Sequence, residues 1–213
     1  MVSFKLDDQY VEAEEGWTIL DTARYYGVDV PTLCYMEGLS PYSACRLCVV
    51  EVIRGDRSRL AASCSYPVQD EIEVKTDSAR VHRARNMVIE LMLAETPNSK
   101  TLQCLASKYG VERVRFKGED RHCIRCGLCV RVCKEQMGAG AIGFARRGID
   151  REVVMPFHKT PEVCRECGAC MYVCPVCELP CGGPLQPGEL CNACLDAVQM
   201  AGFPAGDSSK GSD

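Results

Sequence analysis

The chain has 213 residues, 46% of them apolar, enough for one large packed domain or two small ones. Its net charge of −4 leaves no global basic footprint for nucleic acid. Its 17 cysteines read as either a secreted disulfide scaffold or a metal protein. The opening "MVSFKLDDQYVEAEEG" has neither a basic n-region nor an apolar h-region, so a secretory signal is not expected. No apolar run approaches the length of a membrane span, so direct membrane insertion is not expected either. The protein is therefore expected in the cytoplasm, where thiols stay reduced and short fixed cysteine spacings mark metal ligands.

In chain order, residues 2–6 alternate like a strand, "DDQ" is a turn, and 10–13 read as the returning strand. Thr18 and Asp21 form a capping box that opens a helix, and Gly27 closes it. Strand-like runs follow at 47–53, 59–62 and 72–74. A hairpin, a helix and further strands predict a small α+β domain with a mixed sheet over 1–76. Residues 77–118 read as a helical bridge. Its first helix, 78–94, has Val81, Ala84, Val88, Leu91 and Met92 at helical spacing, with Asp77 at its N-terminus. Its second, about 100–109, ends at Gly110. A cysteine-rich lobe occupies 119–176, four more cysteines lie within 177–200, and 201–213 is a small polar tail expected to be flexible.

Cys34, Cys45, Cys48 and Cys64 are spaced C-x10-C-x2-C-x15-C. Three thiolates in one loop and a fourth at a distance is the way plant-type ferredoxins hold a [2Fe–2S] cluster, although their first gap is four residues. A four-thiolate zinc site is the alternative, and the long wrapping loop argues against it. Ser43 and Ala44 are small enough to let backbone N–H groups approach the cluster sulfurs.

"CIRCGLCVRVC" and "CRECGACMYVCP" form an internal repeat, each reading C-x2-C-x2-C-x3-C. In the bacterial two-cluster run, three cysteines of each motif wrap one [4Fe–4S] cluster and the fourth reaches the other. One cluster then takes Cys123, Cys126, Cys129 and Cys174; the other takes Cys164, Cys167, Cys170 and Cys133. Gly127 and Gly168 follow the second cysteine of each motif, where a side chain is expected to crowd the cluster. Pro175 follows the second motif, whereas Lys134 stands in the matching place of the first.

The stretches "LCYMEGLSPYSACRLCVVEV" and "CIRCGLCVRVCKEQMGAGAIGFARRGID" resemble the large Fe–S subunit of respiratory complex I and the N-terminal region of NAD-linked and iron-only hydrogenases. The likeness runs over about residues 1–176, and the chain is of the size of the small diaphorase subunits of NAD-linked hydrogenases. The resemblance implies a β-grasp [2Fe–2S] domain joined to a two-[4Fe–4S] ferredoxin domain. It also implies an electron-transfer subunit between a flavin/NAD(P)H-binding subunit and a catalytic metal-containing subunit of hydrogenase or formate dehydrogenase type, and it admits an electron-bifurcating complex. A free-standing ferredoxin and an Fe–S sensor are the competing readings, and no residue is expected to be catalytic. After the long helix the family carries a further site of one histidine and three cysteines. The matching "ETPNSKTLQCLASKYG" has no histidine, so that site is expected to be absent and Cys104 to be a small buried residue.

"GAGAIG", 138–143, matches G-x-G-x-x-G, but a dinucleotide site needs a strand before it and a helix after it. It is read as a link into a strand. Arg46, Arg121, Arg125, Arg131, Lys134 and Arg165 crowd the ligands, either as solvated charge or as partial neutralisation of anionic clusters. Cys177, Cys181, Cys191 and Cys194, spaced C-x3-C-x9-C-x2-C, suit structural zinc or a further Fe–S cluster. With them every cysteine but Cys104 has a ligand assignment.

Overall fold

The computed structural model describes residues 1–118 and 122–176. Alternating burial builds the first hairpin: β1 (Val2–Leu6) turns Phe4 and Leu6 inward, and β2 (Gln9–Ala13) does the same with Val11 and Ala13. The chain then enters α1 (Ile19–Tyr25) through the expected capping box. Thr18 accepts from the Asp21 N–H, and the Asp21 carboxylate accepts from the Thr18 N–H at 2.9 Å. β3 (Val49–Arg54), β4 (Arg57–Ala62) and β5 (Glu73–Lys75) complete a mixed sheet of order β2-β1-β5-β3-β4. Only the central β1/β5 pair is parallel. This is the α+β, β-grasp arrangement that the resemblance implied. Ile19, Leu20 and Ala23 of α1 cover one face of the sheet, against Phe4, Val50 and Val74.

α2 (Ala79–Glu95) starts at Ser78, whose hydroxyl accepts from Val81 N–H and donates to Glu51 on β3 at 2.6 Å. Its buried face differs from the expected one. Val81, Arg85, Ile89, Glu90 and Leu93 are buried, and Leu91 is exposed. Two charged residues stand in the buried stripe and hide it from a hydrophobic pattern. Arg85 donates to the Val49 carbonyl at 3.0 Å, tying α2 to β3, and Glu90 is held by the Arg115 side chain at 2.8 Å. α3 (Lys100–Tyr109) ends at Gly110 in the left-handed region, as its glycine predicts. Cys104 proves exposed, because Leu102, Leu105 and Ala106 define the inward side of α3 and Cys104 falls opposite them. Among the described residues no helix is long and apolar enough to cross a membrane.

Beyond α3 the elements are short: α4 (Leu128–Arg131) running into a π turn over Val132–Gln136, a hairpin of β6 (Gly143–Ala145) with β7 (Glu152–Val154), and α5 (Ala169–Tyr172). They have no sheet core of their own. Instead a second core joins Leu33, Leu39 and Leu47 of the first cysteine loop to Ile89 and Leu93 of α2, Leu102 and Leu105 of α3, and Leu128, Val132, Val173 and Val176.

Candidate iron–sulfur sites

The first cysteine set hangs from the edge of the sheet domain. Cys34 and Cys45 lie in the loop between α1 and β3, Cys48 directly precedes β3, and Cys64 sits in the turn after β4. All four are buried. The Cys45 N–H donates to Cys34 Sγ at 3.5 Å, and the Ser43 hydroxyl lies 3.4 Å from Cys64 Sγ. Ser43 therefore acts through its hydroxyl, beyond the small size that the sequence offers. The thiols fall into two contacting pairs, Cys34 with Cys45 and Cys48 with Cys64. Cys34 and Cys48 are pushed up, first by a side-chain hydrogen bond to the partner thiol and then by burial. The acceptors move the other way; hydrogen bonds from Cys48 and then from Ser43 bring Cys64 down to about 6.

The repeat is legible in the backbone. Arg125 and Glu166, at equivalent places, have φ of 55° and 51°, and Gly127 and Gly168 have φ of 74° and 75°. Left-handed residues on both sides of the second cysteine wrap each motif into a tight cup before its short helix. The crowding expected at the two glycines differs between them. A Cβ at Gly127 meets Tyr42 at 3.1 Å and Phe144 at 3.3 Å, whereas one at Gly168 meets no protein atom within 4 Å.

Cysteines of the two motifs are neighbours. Cys133, from the first motif, lines one cavity of about 490 Å³ together with Cys164, Cys167 and Cys170 of the second. Cys126 lies near enough to Cys174 to feel its charge. Burial pushes Cys126 up, and burial ahead of the neighbouring Cys123 pushes Cys129 up to about 11. Buried thiols resist ionisation, and several thiolates together become stable only around cationic charge, which iron supplies. The donor set therefore fits Fe–S clusters. Backbone donors that sequence reading missed also face the sulfurs. Arg125 N–H reaches Cys123 Sγ at 3.3 Å, and Ala141 N–H reaches Cys133 Sγ at 3.2 Å. Ala141 belongs to the "GAGAIG" segment. No helix opens from it: Ala139 and Gly140 donate to the Cys133 carbonyl, and the chain then enters β6, so the segment wraps Cys133.

The first loop also docks on the second lobe. Gln136 donates to the Gly38 carbonyl at 2.5 Å, and the Glu135 carboxylate accepts from the Ser40 N–H at 2.7 Å. Tyr42 stacks on Phe144 with centroids 6.5 Å apart, and its hydroxyl accepts from Arg151 at 2.5 Å. The ten residues between Cys34 and Cys45, six more than a plant-type loop has, supply this contact. Of the remaining basic residues, Arg125 pairs with Glu95 at 3.0 Å, while Arg46, Lys134 and Arg165 are exposed. Arg121 and the cysteines Cys177, Cys181, Cys191 and Cys194 lie outside the described residues.

Residues 1–79 match the 2Fe-2S iron-sulfur cluster binding domain, and residues 122–177 match the 4Fe-4S dicluster domain. The chain is 35% identical to the NADP-reducing hydrogenase subunit HndD of Solidesulfovibrio fructosivorans, over 82% of this chain and 35% of that one. It is 32% identical to an NADH-quinone oxidoreductase subunit of Rhizobium meliloti, over 83% of this chain and 23% of that one. It thus spans about a quarter to a third of these relatives' length. Its fold superposes on a chain of an NAD+-reducing [NiFe]-hydrogenase crystallised in the H2-reduced state, with a TM-score of 0.64 and 29% identity, covering 72% of this chain and 74% of that one. This is an iron–sulfur chain in which a 2Fe-2S cluster-binding domain is joined to a 4Fe-4S dicluster domain, similar over most of its length to subunits of NAD(P)-linked hydrogenases and NADH-quinone oxidoreductases.

Proposed function

We propose that the chain is the internal wire of a multi-subunit NAD(P)-linked oxidoreductase, set between a flavin/NAD(P)H-binding subunit and a catalytic metal subunit of hydrogenase or formate dehydrogenase type. The observation that carries this reading is the second core, in which Cys34 and Cys45 of the first set pack with Cys126, and with Cys174 at its margin. Ligands of different sets share one apolar interior, so the sets are held at a fixed separation rather than on a flexible linker.

Bound clusters supply one-electron redox chemistry at low potential, near about −400 mV for a plant-type centre. The protein's part is to hold and shield. Cys34, Cys45, Cys48 and Cys64 hold the [2Fe–2S] group; Cys123, Cys126, Cys129 and Cys174 hold one [4Fe–4S] group, and Cys133, Cys164, Cys167 and Cys170 the other. Burial of the first set excludes water, and the N–H groups of Cys45, Arg125 and Ala141 place donors against ligand sulfur, a standard lever on potential. A hydride carries two electrons; a flavin on the partner would part them, with NAD(P)+ and a proton as the other products, and the cysteines of this chain would hold the groups that take each electron singly.

Substituting Cys48→Ser in the assembled complex tests the reading. The variant complex is expected to assemble and to lose NAD(P)H-linked turnover to background. Full turnover with the [2Fe–2S] signal gone overturns the wire. For Cys177, Cys181, Cys191 and Cys194 we keep the two metal assignments apart by anaerobic iron, sulfide and zinc quantitation. About ten irons with one zinc supports a structural zinc there, and about fourteen irons supports a further cluster.

A further inference from the structure

Burial separates the basic residues that stand beside ligands in sequence. Arg46, next to Cys45, is exposed, whereas Arg131 is only 8% exposed. Arg131 lies on α4 between Cys129 and Cys133, so its backbone belongs to the turn that carries one ligand of each [4Fe–4S] set. Its guanidinium reaches out of that lobe into the other. One nitrogen donates to the Cys34 carbonyl at 2.5 Å, another to the Ser40 carbonyl at 2.6 Å, and the group lies 5.4 Å from the Tyr42 ring centroid. Its Nε is buried and has no hydrogen-bond partner. A single side chain therefore touches the backbone of a [2Fe–2S] ligand while standing on the turn that holds the other two groups.

Both acceptors are carbonyls. They satisfy the hydrogen bonds of a guanidinium, which stays protonated, but they do not neutralise it. Glu135, which accepts from the Ser40 N–H, is solvent-exposed, so water screens its charge. A positive charge thus remains in a low-dielectric interior against the Cys34 backbone, where its field is far stronger than that of a charge in water. Arg46 is the built-in contrast: the same charge, directly next to Cys45 in sequence, and exposed to solvent.

We propose that Arg131 is the positioning residue of the relay's internal joint: its planar fork fixes the Cys34 loop against the first [4Fe–4S] turn, and its buried charge raises the potential of the [2Fe–2S] group. The proposal rests on the assignment of Cys34, Cys45, Cys48 and Cys64 to that group.

The test is a redox titration of the anaerobically reconstituted full chain, following the paramagnetic signal of the reduced [2Fe–2S] group in wild type, R131M, R131K and R46M. In R131M the reduced-to-oxidised ratio at a fixed solution potential is expected to fall about tenfold, a midpoint shift of about 59 mV for one electron. R46M is expected to move the ratio by less than about twofold, because solvent screens that charge. R131K keeps the charge but has no fork. Its midpoint is expected to stay within about threefold of wild type, while the magnetic interaction between the [2Fe–2S] and [4Fe–4S] signals changes. An iron-replete R131M with an unshifted midpoint overturns the proposal, as does an equal shift in R46M. Should R131M fail to take up iron, R131K decides: a tenfold fall with the charge retained overturns the proposal, and a retained midpoint supports it. A wild-type chain with no [2Fe–2S] signal overturns the ligand assignment itself, and that missing signal tells the two failures apart.

Discussion

Cys34, Cys45, Cys48 and Cys64 are all buried, whereas of the eight cysteines from 123 to 174 only Cys126 is, and Cys167 is exposed. The difference follows from what each region folds around. The first loop is attached to a five-stranded sheet whose interior, from Phe4 to Val74, is built mostly of aliphatic and aromatic side chains, with Cys48 and Cys64 the two cysteines packed into it. The second region has two four-residue helices, two three-residue strands and a cavity where Cys133, Cys164, Cys167 and Cys170 meet. Elements that short cannot close an apolar interior by themselves, so the ligands and what they bind must take its place. The distribution of buried residues places iron-dependent folding in the second lobe.

Chelating the iron anaerobically puts the comparison at greatest risk. Amides of 122–176 are expected to lose their hydrogen-exchange protection, and those of β1 to β5 to keep most of theirs. Structural metal is worth on the order of 10 kcal/mol to a small domain that folds around it, far more than the second lobe can replace. Protection lost equally in both regions breaks the comparison. A smaller effect sharpens it. Leu20 is fully buried under the sheet, and Leu102 is fully buried in the second core. Leu20→Ala and Leu102→Ala should each cost about 2–5 kcal/mol in the loaded protein. After chelation, calorimetry should show the remaining sheet transition lowered by Leu20→Ala and little changed by Leu102→Ala.

What the sequence disclosed follows the same division. Strands β1 and β2, the Thr18 cap and the Gly110 stop were legible because each depends on side chains a few residues apart. The two cluster-binding domains were legible because cysteine spacing is itself a local code. The buried stripe of α2 was not, because Arg85 and Glu90 occupy it and their partners, the Val49 carbonyl and Arg115, lie 36 and 25 residues away. The joint between the lobes was hidden for a related reason. Arg131 binds the carbonyls of Cys34 and Ser40, and Ala141 donates through its N–H, and main-chain groups of this kind are the same in every sequence.

The two repeat glycines give the finest discrimination. At φ of 74° and 75° both adopt a backbone that a Cβ disfavours, so Gly127→Ala and Gly168→Ala share a conformational cost of roughly 1–2 kcal/mol. Protein contacts then separate them. At Gly168 the added methyl meets no protein atom within 4 Å, whereas at Gly127 it presses on Tyr42 and Phe144, the stacked pair through which the first loop docks. Tyr42 must move by a few tenths of an ångström, and its hydroxyl is already held by Arg151. Gly127→Ala should therefore cost more stability than Gly168→Ala and also disturb the [2Fe–2S] signal, although residue 127 belongs to the other lobe. Equal destabilisation, with both [2Fe–2S] signals unchanged, means that the loop does not rest on the first motif and that the two lobes are independent.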